Sequence, residues 1–282
     1  MTALQAIVLG VVQGVTEFLP VSSSAHLILA SKFFGWADQG LHFDMAANTG
    51  SLLAVLLYLR RDLASLWRGL VAWLQGTRNR ESRAAIQVLL ASLPVAIAGL
   101  LLQTFVAGVG RSFGVLGATS LGFGLLLGWA DRRAKEPPEQ QAELEGELEN
   151  GSRDRLQDWS SRQVASVALA QALAVIPGTS RSGVTMTAGL FAGMSRHQAT
   201  RLSFILAVPV GGMVAIKDLW DLVRDPGVSL ELTGLALGTL GAAVSAYFAI
   251  GWLLEWVRKH GFMGFAAYRV VLGLALLALA AG

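Results

Sequence analysis

Long uncharged stretches dominate the chain and set its elements. Residues 84–110, 112–130 and 232–254 contain no Asp, Glu, Lys or Arg. Each is long enough for a helix to cross a hydrocarbon layer, which takes ~20 mostly apolar residues. Two more qualify if a terminal charge reaches the headgroups: 41–59 with Asp44 near one end, and 202–222 with Lys217 and Asp218 near the other. A last candidate, 264–281, tolerates Arg269 near its start. The pattern predicts an all-α integral membrane protein with six transmembrane helices.

Two other apolar regions, 2–34 and 163–195, are interrupted in the middle by LPVSSSAH and IPGTSRSGVT. The arms on either side are too short to cross alone, so each region reads as a re-entrant helical hairpin, with a kinked full-length helix as the alternative. Irregular backbone at membrane depth is tolerated only where protein or a wet cavity surrounds it. The breaks resemble each other. Gln13-Gly-Val-Thr-Glu-Phe-Leu-Pro-Val-Ser-Ser-Ser recurs, with a one-residue slip, as Gln171-Ala-Leu-Ala-Val-Ile-Pro-Gly-Thr-Ser-Arg-Ser. Each copy is followed by three spans, an odd number of crossings, so the second copy is expected to lie upside down, as in inverted-topology repeats. The expected organisation is a single membrane domain over 1–282: a first repeat at 1–130, a charged connection at 131–162, and a second, inverted repeat at 163–282.

Composition excludes the competing classes. Charged residues make up 15% and hydrophobic residues 54%, and mean hydropathy is +0.55. A water-facing surface needs roughly 25% charged residues, so a soluble enzyme, a disordered chain and a nucleic-acid-binding domain are ruled out. No cysteine is present, which removes disulfides, thiolate metal sites and cysteine nucleophiles. The first residues, MTALQAIVLG, lack the basic start of a cleaved signal peptide. Basic residues concentrate in the 60–83 connection (Arg60, Arg61, Arg68, Arg78, Arg80, Arg83) and the 131–162 connection (Arg132, Arg133, Lys135, Arg153, Arg155, Arg162), with only Arg111 between them. The positive-inside rule places both connections in the cytoplasm. Alternation then puts the 217–231 loop and both termini outside, and Arg258 and Lys259 inside. The acidic run Glu143, Glu145, Glu147 and Glu149 reads as a solvated segment.

The chemistry lies in the two breaks. Before Lys32 the first hairpin holds only Glu17 and His26 as ionisable groups, and before Arg196 the second holds only Arg181. A charge at membrane depth costs at least ~2.5–3.5 kcal/mol, so such residues face partners or a wet cavity. If the hairpins meet tip to tip, Glu17, His26 and Arg181 converge with Ser22, Ser23, Ser24, Ser180, Ser182 and Thr185. A structural Glu17–Arg181 pair alone would not need so many hydroxyls. Pro177-Gly178-Thr179-Ser180-Arg181-Ser182-Gly183 breaks one helix and starts another. Its successive N–H groups and the new helix's positive end would suit an anion, and Arg181 adds a planar fork matched to phosphate. Charge neutralisation, a nucleophile and a proton carrier are what phosphoryl transfer requires.

These residues carry a resemblance. Gln13-x-x-x-Glu17-Phe-Leu-Pro-Val-Ser-Ser-x-x-His26 with Pro177-Gly-x-Ser-Arg-Ser-Gly-x-Thr185 resembles the undecaprenyl-pyrophosphate phosphatase, or bacitracin-resistance, family. Phe43-Asp44, Gly50-Ser51-x-x-Ala54 and Ser203-Phe-x-Leu-Ala-Val-Pro209 agree with it. The resemblance implies hydrolysis of undecaprenyl pyrophosphate to undecaprenyl phosphate on the outer face of the bacterial inner membrane, which recycles the carrier for cell-wall synthesis. Bacitracin would compete for that substrate. The resemblance also implies a divalent cation, Mg²⁺ or Ca²⁺, held by Glu17 with Gln13. Surrounding membrane lipids are the other expected partners; a homodimer is compatible with the sequence, and no nucleic acid is expected.

Glu17, Ser23, His26 and Arg181 are the expected catalytic residues. Ser22, Gly178, Thr179, Ser180, Arg181, Ser182, Gly183 and Thr185 are the expected phosphate binders. Asn48 stands where the family commonly has Gln, and Ala25 where it commonly has Gly. Three routes remain open at this level: Ser23 as nucleophile with Glu17 or His26 taking its proton, a metal-oriented water, or His26 as nucleophile. A carrier or flippase for an anionic lipid is the alternative from another class, since broken helices in inverted repeats also suit transport.

Overall fold

A computed structural model describes residues 1–37, 40–109, 112–134, 159–224 and 232–281. Arg111, Lys135, Arg153, Arg155, the acidic run at 143–149 and residues 225–231 of the expected 217–231 loop lie outside the described residues, while 217–224 continue a helix. Every regular element described is helical. The order is α1 (Ala3–Phe18), α2 (Ser23–Phe33), α3 (Gly40–Tyr58), α4 (Arg60–Leu74), α5 (Arg80–Ala91), α6 (Leu93–Val109) and α7 (Phe113–Arg133). Then come α8 (Ser161–Gln171) with a 3₁₀ turn (Ala172–Val175), α9 (Arg181–Phe191), α10 (Arg196–Arg224), α11 (Leu232–His260) and α12 (Met263–Ala281).

Local sequence explains the boundaries. Thr2 caps α1 with Gln5 in a reciprocal capping box, and Ser160 caps α8 with Gln163 in the same way. Among the described residues five stretches are long and apolar enough to cross a bilayer: Arg80–Leu102, Phe113–Arg133, Arg196–Asp221, Leu232–His260 and Met263–Ala281. They correspond to five of the six expected spans. The sixth, α3, has 19 residues, but His42, Asp44, Asn48 and Thr49 on its first half lower its apolar character. The stretch 84–110, expected as one helix, is two. Pro94 has no N–H to offer the carbonyl of Leu90 and its ring crowds that turn, so the chain breaks at Ser92 between α5 and α6. The basic 60–83 connection contains a helix of its own, α4, which buries Asp62, Ser65, Leu66 and Gly69 and exposes Trp67 and Leu74.

Between membrane helices there is no apolar–water contrast to drive association, so close packing of small residues does it. Gly10 and Gly14 on α1 meet Gly238, Ala242 and Ala246, which stand at four-residue spacing on α11. The backbones touch: a Cβ on Gly14 would lie 2.2 Å from the carbonyl oxygen of Ala242. Gly50 brings α3 against the same helix, and Gly117 and Gly273 bring α7 against α12. The partnerships come in related sets. Helix α1 packs along α11, while α8 and its 3₁₀ continuation pack along α5 and α6.

One end of the bundle is tied by charges. Arg196 Nε donates to Asp131 Oδ1 at 2.6 Å, and the same carboxylate accepts the amide of Phe262 at 3.0 Å. Asp62 of α4 pairs with Arg201 of α10, both side chains nearly inaccessible. At the other extreme of α10 lie Lys217 and Asp218. The arms beside the two breaks are short: α1 runs about 24 Å and α2 about 16 Å at 1.5 Å per residue.

Candidate active site

Both breaks use the same backbone device. Ser22 and Ser180 have φ of 74° and 66°, the only positive values for non-glycine residues among those described. An L-residue in this region is strained, and such strain gathers at functional sites. Each serine caps the next helix, so Ser23 is the first residue of α2 and Arg181 the first of α9. The structural match therefore runs in register from Gln13/Gln171 to Ser22/Ser180, with the slip confined to the prolines. It makes Ser23 and Arg181 equivalent positions.

The two elbows meet on Glu17, in the last turn of α1. Ser23 Oγ donates to Glu17 Oε2 at 2.8 Å, and Arg181 Nη2 donates to Glu17 Oε1 at 3.3 Å. Gln13 Nε2 donates to Glu17 Oε2 at 3.0 Å and to Asn48 Oδ1 at 2.7 Å. Arg181 Nη1 is anchored on the carbonyl of Ser203 at 3.3 Å. The pair is partly open, with side chains 15% and 23% exposed. Glu17, Ser23, Asn48 and Arg181 line the head of a cavity of about 620 Å³. Its walls are mostly apolar, including Leu52, Val55, Val95, Leu100 and Val214, and it runs toward Lys217 and Asp218. A polar head and an apolar throat suit an amphiphile with a small anionic group.

Several expected site residues lie elsewhere. Of the expected phosphate binders, only Arg181 lines this cavity. Thr179, Ser182 and Thr185 are fully buried, and Ser22 nearly so. Ser182 Oγ donates to the carbonyl of Leu19 at 2.9 Å, Thr179 Oγ1 to that of Ile176 at 2.6 Å, and Thr185 Oγ1 to that of Arg181 at 2.8 Å. Ser180 Oγ accepts the amide of Gly183 at 3.1 Å, and Gly178 uses its positive φ for the turn. These hydroxyls satisfy backbone groups that an irregular loop leaves unpaired where no bulk water reaches. They hold the loop rather than face the cavity.

His26 also points away from Ser23. Its Nδ1 lies 2.7 Å from the carbonyl of Ser22 and must donate to it. Nε2 lies 2.6 Å from Tyr268 Oη, which in the neutral ring makes it the acceptor. It lines a different, apolar cavity with Trp252, Trp256, Phe265 and Tyr268. Both nitrogens are engaged, and the Nδ1 contact braces the strained Ser22 that presents Ser23. Gln13, expected as a metal ligand, turns its nitrogen to Glu17, because an ionised carboxylate can only accept.

Two contributors escaped the sequence reading. Thr119 Oγ1 donates to the carbonyl of Pro177 at 2.9 Å, and no pattern in α7 marks it. Arg269, near the start of the expected 264–281 span, is wholly buried between the loops. Its signal was visible: it is the only charge in an otherwise apolar 263–281, which the rule for ionisable residues inside membranes flags.

Comparison with known proteins agrees with this geometry. A protein of Magnetococcus marinus named undecaprenyl-diphosphatase is 45% identical over 99% of both chains. One of the same name from Hahella chejuensis is 43% identical over 98% of both. Undecaprenyl-diphosphatase 2 of Stutzerimonas stutzeri is 42% identical over the full length of each. Residues 6–275, which include both elbows and every residue around Glu17, match the family described as bacitracin resistance protein BacA, and the chain belongs to that family.

Proposed function

We propose that this chain is an undecaprenyl-diphosphatase, cleaving the P–O–P bond of undecaprenyl pyrophosphate to release undecaprenyl phosphate and inorganic phosphate. The observation that carries the reading is the Ser23–Glu17–Arg181 contact at the head of an apolar cavity, in a chain 42–45% identical end to end to proteins of that name. The apolar throat would take the first isoprene units and Arg181 the phosphate oxygens, its planar fork matching them.

In the mechanism we favour, Ser23 Oγ attacks the terminal phosphorus while Glu17, 2.8 Å away, takes its proton. The bridging P–O bond breaks and the lipid monophosphate leaves. That proton leaves Glu17 with the departing monophosphate. The restored carboxylate then takes a proton from water as the water attacks the phosphoserine, and returns it to Ser23 Oγ as the P–Oγ bond breaks and inorganic phosphate is freed. Arg181 neutralises the equatorial oxygens in both steps. His26 positions Ser22 and is not needed as the base.

Among the described residues no three His, Asp or Glu side chains converge to form a metal cage. The cavity does offer hard oxygens: Glu17 and the side chains of Asn48, Thr49 and Ser51. This set fits Mg²⁺ or Ca²⁺ arriving with the pyrophosphate, since Mg²⁺ takes one or two carboxylates plus substrate oxygens. Glu17 would hold it, and bound there it would neutralise phosphate charge.

The layout we propose is six crossings, with α3 as the sixth, and two re-entrant hairpins in inverted repeats within the bacterial inner membrane. Support comes from arms shorter than a ~30 Å hydrocarbon layer, the twin elbows at Ser22 and Ser180, and the paired packing of α1 on α11 and of α8 on α5 and α6. The cavity runs toward the Lys217 end of α10, opposite the Asp131–Arg196 cluster. With the basic connections inside, that end, the active site and both termini face the periplasm. Bacitracin would then compete for the same lipid pyrophosphate outside the cell.

Purified protein in detergent should release phosphate from a long-chain prenyl pyrophosphate, and Glu17→Ala and Arg181→Ala should abolish it. No gradient exists there, so a carrier without hydrolytic activity would release none. That result would defeat the proposal.

A further inference from the structure

We infer that Arg269 is a positioning residue for this reaction, its guanidinium stapling the two catalytic elbows together through their backbone carbonyls. The inference rests on the phosphatase reading and deepens it. Arg269, on α12, is completely inaccessible, and no carboxylate pairs with it among the described residues. A lone buried guanidinium is costly unless its donors are matched. Here carbonyl oxygens match them. Nη1 donates to Pro20 at 3.3 Å, Nη2 to Gly178 at 3.0 Å with Thr119 at 3.5 Å, and Nε to Ser120 at 3.4 Å.

Two of these acceptors are special. Pro20 and Gly178 each lie two residues before a positive-φ serine, at equivalent places in the two elbows. Irregular backbone at this depth leaves carbonyls that nothing else satisfies, and a planar fork with five donors reaches both at once. Lysine could neutralise charge but could not hold that geometry. The staple therefore fixes the spacing between the elbow carrying Glu17 and Ser23 and the elbow carrying Arg181. Ser182, reaching across to Leu19, and the Arg181–Glu17 pair also tie the elbows directly. Neither Arg269 nor its acceptors line the catalytic cavity, so it acts through the loops and does not touch substrate. A displacement of about 1 Å at reacting groups costs on the order of 100-fold in rate.

The test measures kcat and KM for phosphate release, with thermal unfolding, on monodisperse full-length protein in detergent. Wild-type turnover checks the phosphatase reading separately. Arg269→Gln should lose on the order of 100-fold in kcat and Arg269→Lys on the order of tenfold, with KM within about threefold, in variants that remain folded. A structural residue would instead lower the unfolding temperature and leave kcat of the folded protein intact, which would overturn the inference. So would a Lys variant matching wild type while Gln is impaired, since charge alone would then suffice. If neither variant folds, Gly124→Ala decides. Its added methyl would lie 2.7 Å from Arg269 Cβ and push the staple from outside the loops. A reduced kcat in that variant supports the staple; wild-type kcat, or failure to fold, refutes it.

Discussion

Replacing Glu17 by Gln keeps the side chain's shape and removes its charge and basicity. In the native site the carboxylate accepts from Ser23 at 2.8 Å, Gln13 at 3.0 Å and Arg181 at 3.3 Å. An amide cannot take the proton of Ser23, and loss of a positioned base costs about 10²–10⁴ in rate. At 1.36 kcal/mol per tenfold this is about 3–5 kcal/mol of transition-state stabilisation. The other two contacts predict where the loss will not appear. Arg181 is released from its partner and stays free for phosphate, so KM should hold or fall. Because the ion pair is largely buried yet open to the cavity, with side chains 15% and 23% exposed, its loss should cost about 1–3 kcal/mol of stability. Steady-state phosphate release across a substrate series, with an unfolding curve on the same sample, separates the three quantities. A Glu17→Gln enzyme within tenfold of wild-type kcat, or one whose entire defect lies in KM, would refute Glu17 as the base for Ser23.

Other outcomes follow from the packing. Arg201→Ala would break a pair with Asp62 whose side chains are only 7% and 8% exposed; up to about 3–5 kcal/mol of stability should go, read as a lower unfolding temperature with kcat unchanged. Tyr268→Phe removes the hydroxyl on His26 Nε2, a bond worth about 0.5–1.5 kcal/mol net, so kcat/KM should fall by less than about tenfold; a far larger drop would make His26 a direct participant. Gly14→Ala would force a methyl to 2.2 Å from the Ala242 carbonyl and should destabilise by about 1–3 kcal/mol, whereas an unchanged unfolding curve would contradict the close α1–α11 contact.

Much of the molecule was legible in the linear pattern. Apolar runs, three of them wholly uncharged, located five of the spans, because a bilayer demands some twenty apolar residues whatever the neighbours are. The rarity of charges inside apolar arms singled out Glu17 and Arg181, which do meet. Pro94 marked a break that uncharged composition alone hid, and α3 fell short of the others because its first half is polar, with Asn48 and Thr49 lining the cavity.

What the sequence could not supply was direction. Ser23 and Ser182 are both hydroxyls in look-alike elbows, yet one faces Glu17's carboxylate and the other a backbone carbonyl. His26 follows Ser23 by three residues but turns to Tyr268, 242 positions away. Arg269, dismissed locally as a span-end charge, is enclosed by carbonyls from two loops and α7. Residue type and spacing are properties of the chain, and they sufficed for spans and for chemistry. Which side of an irregular loop a polar atom faces is decided by the unpaired backbone groups around it, and only folding brings those together.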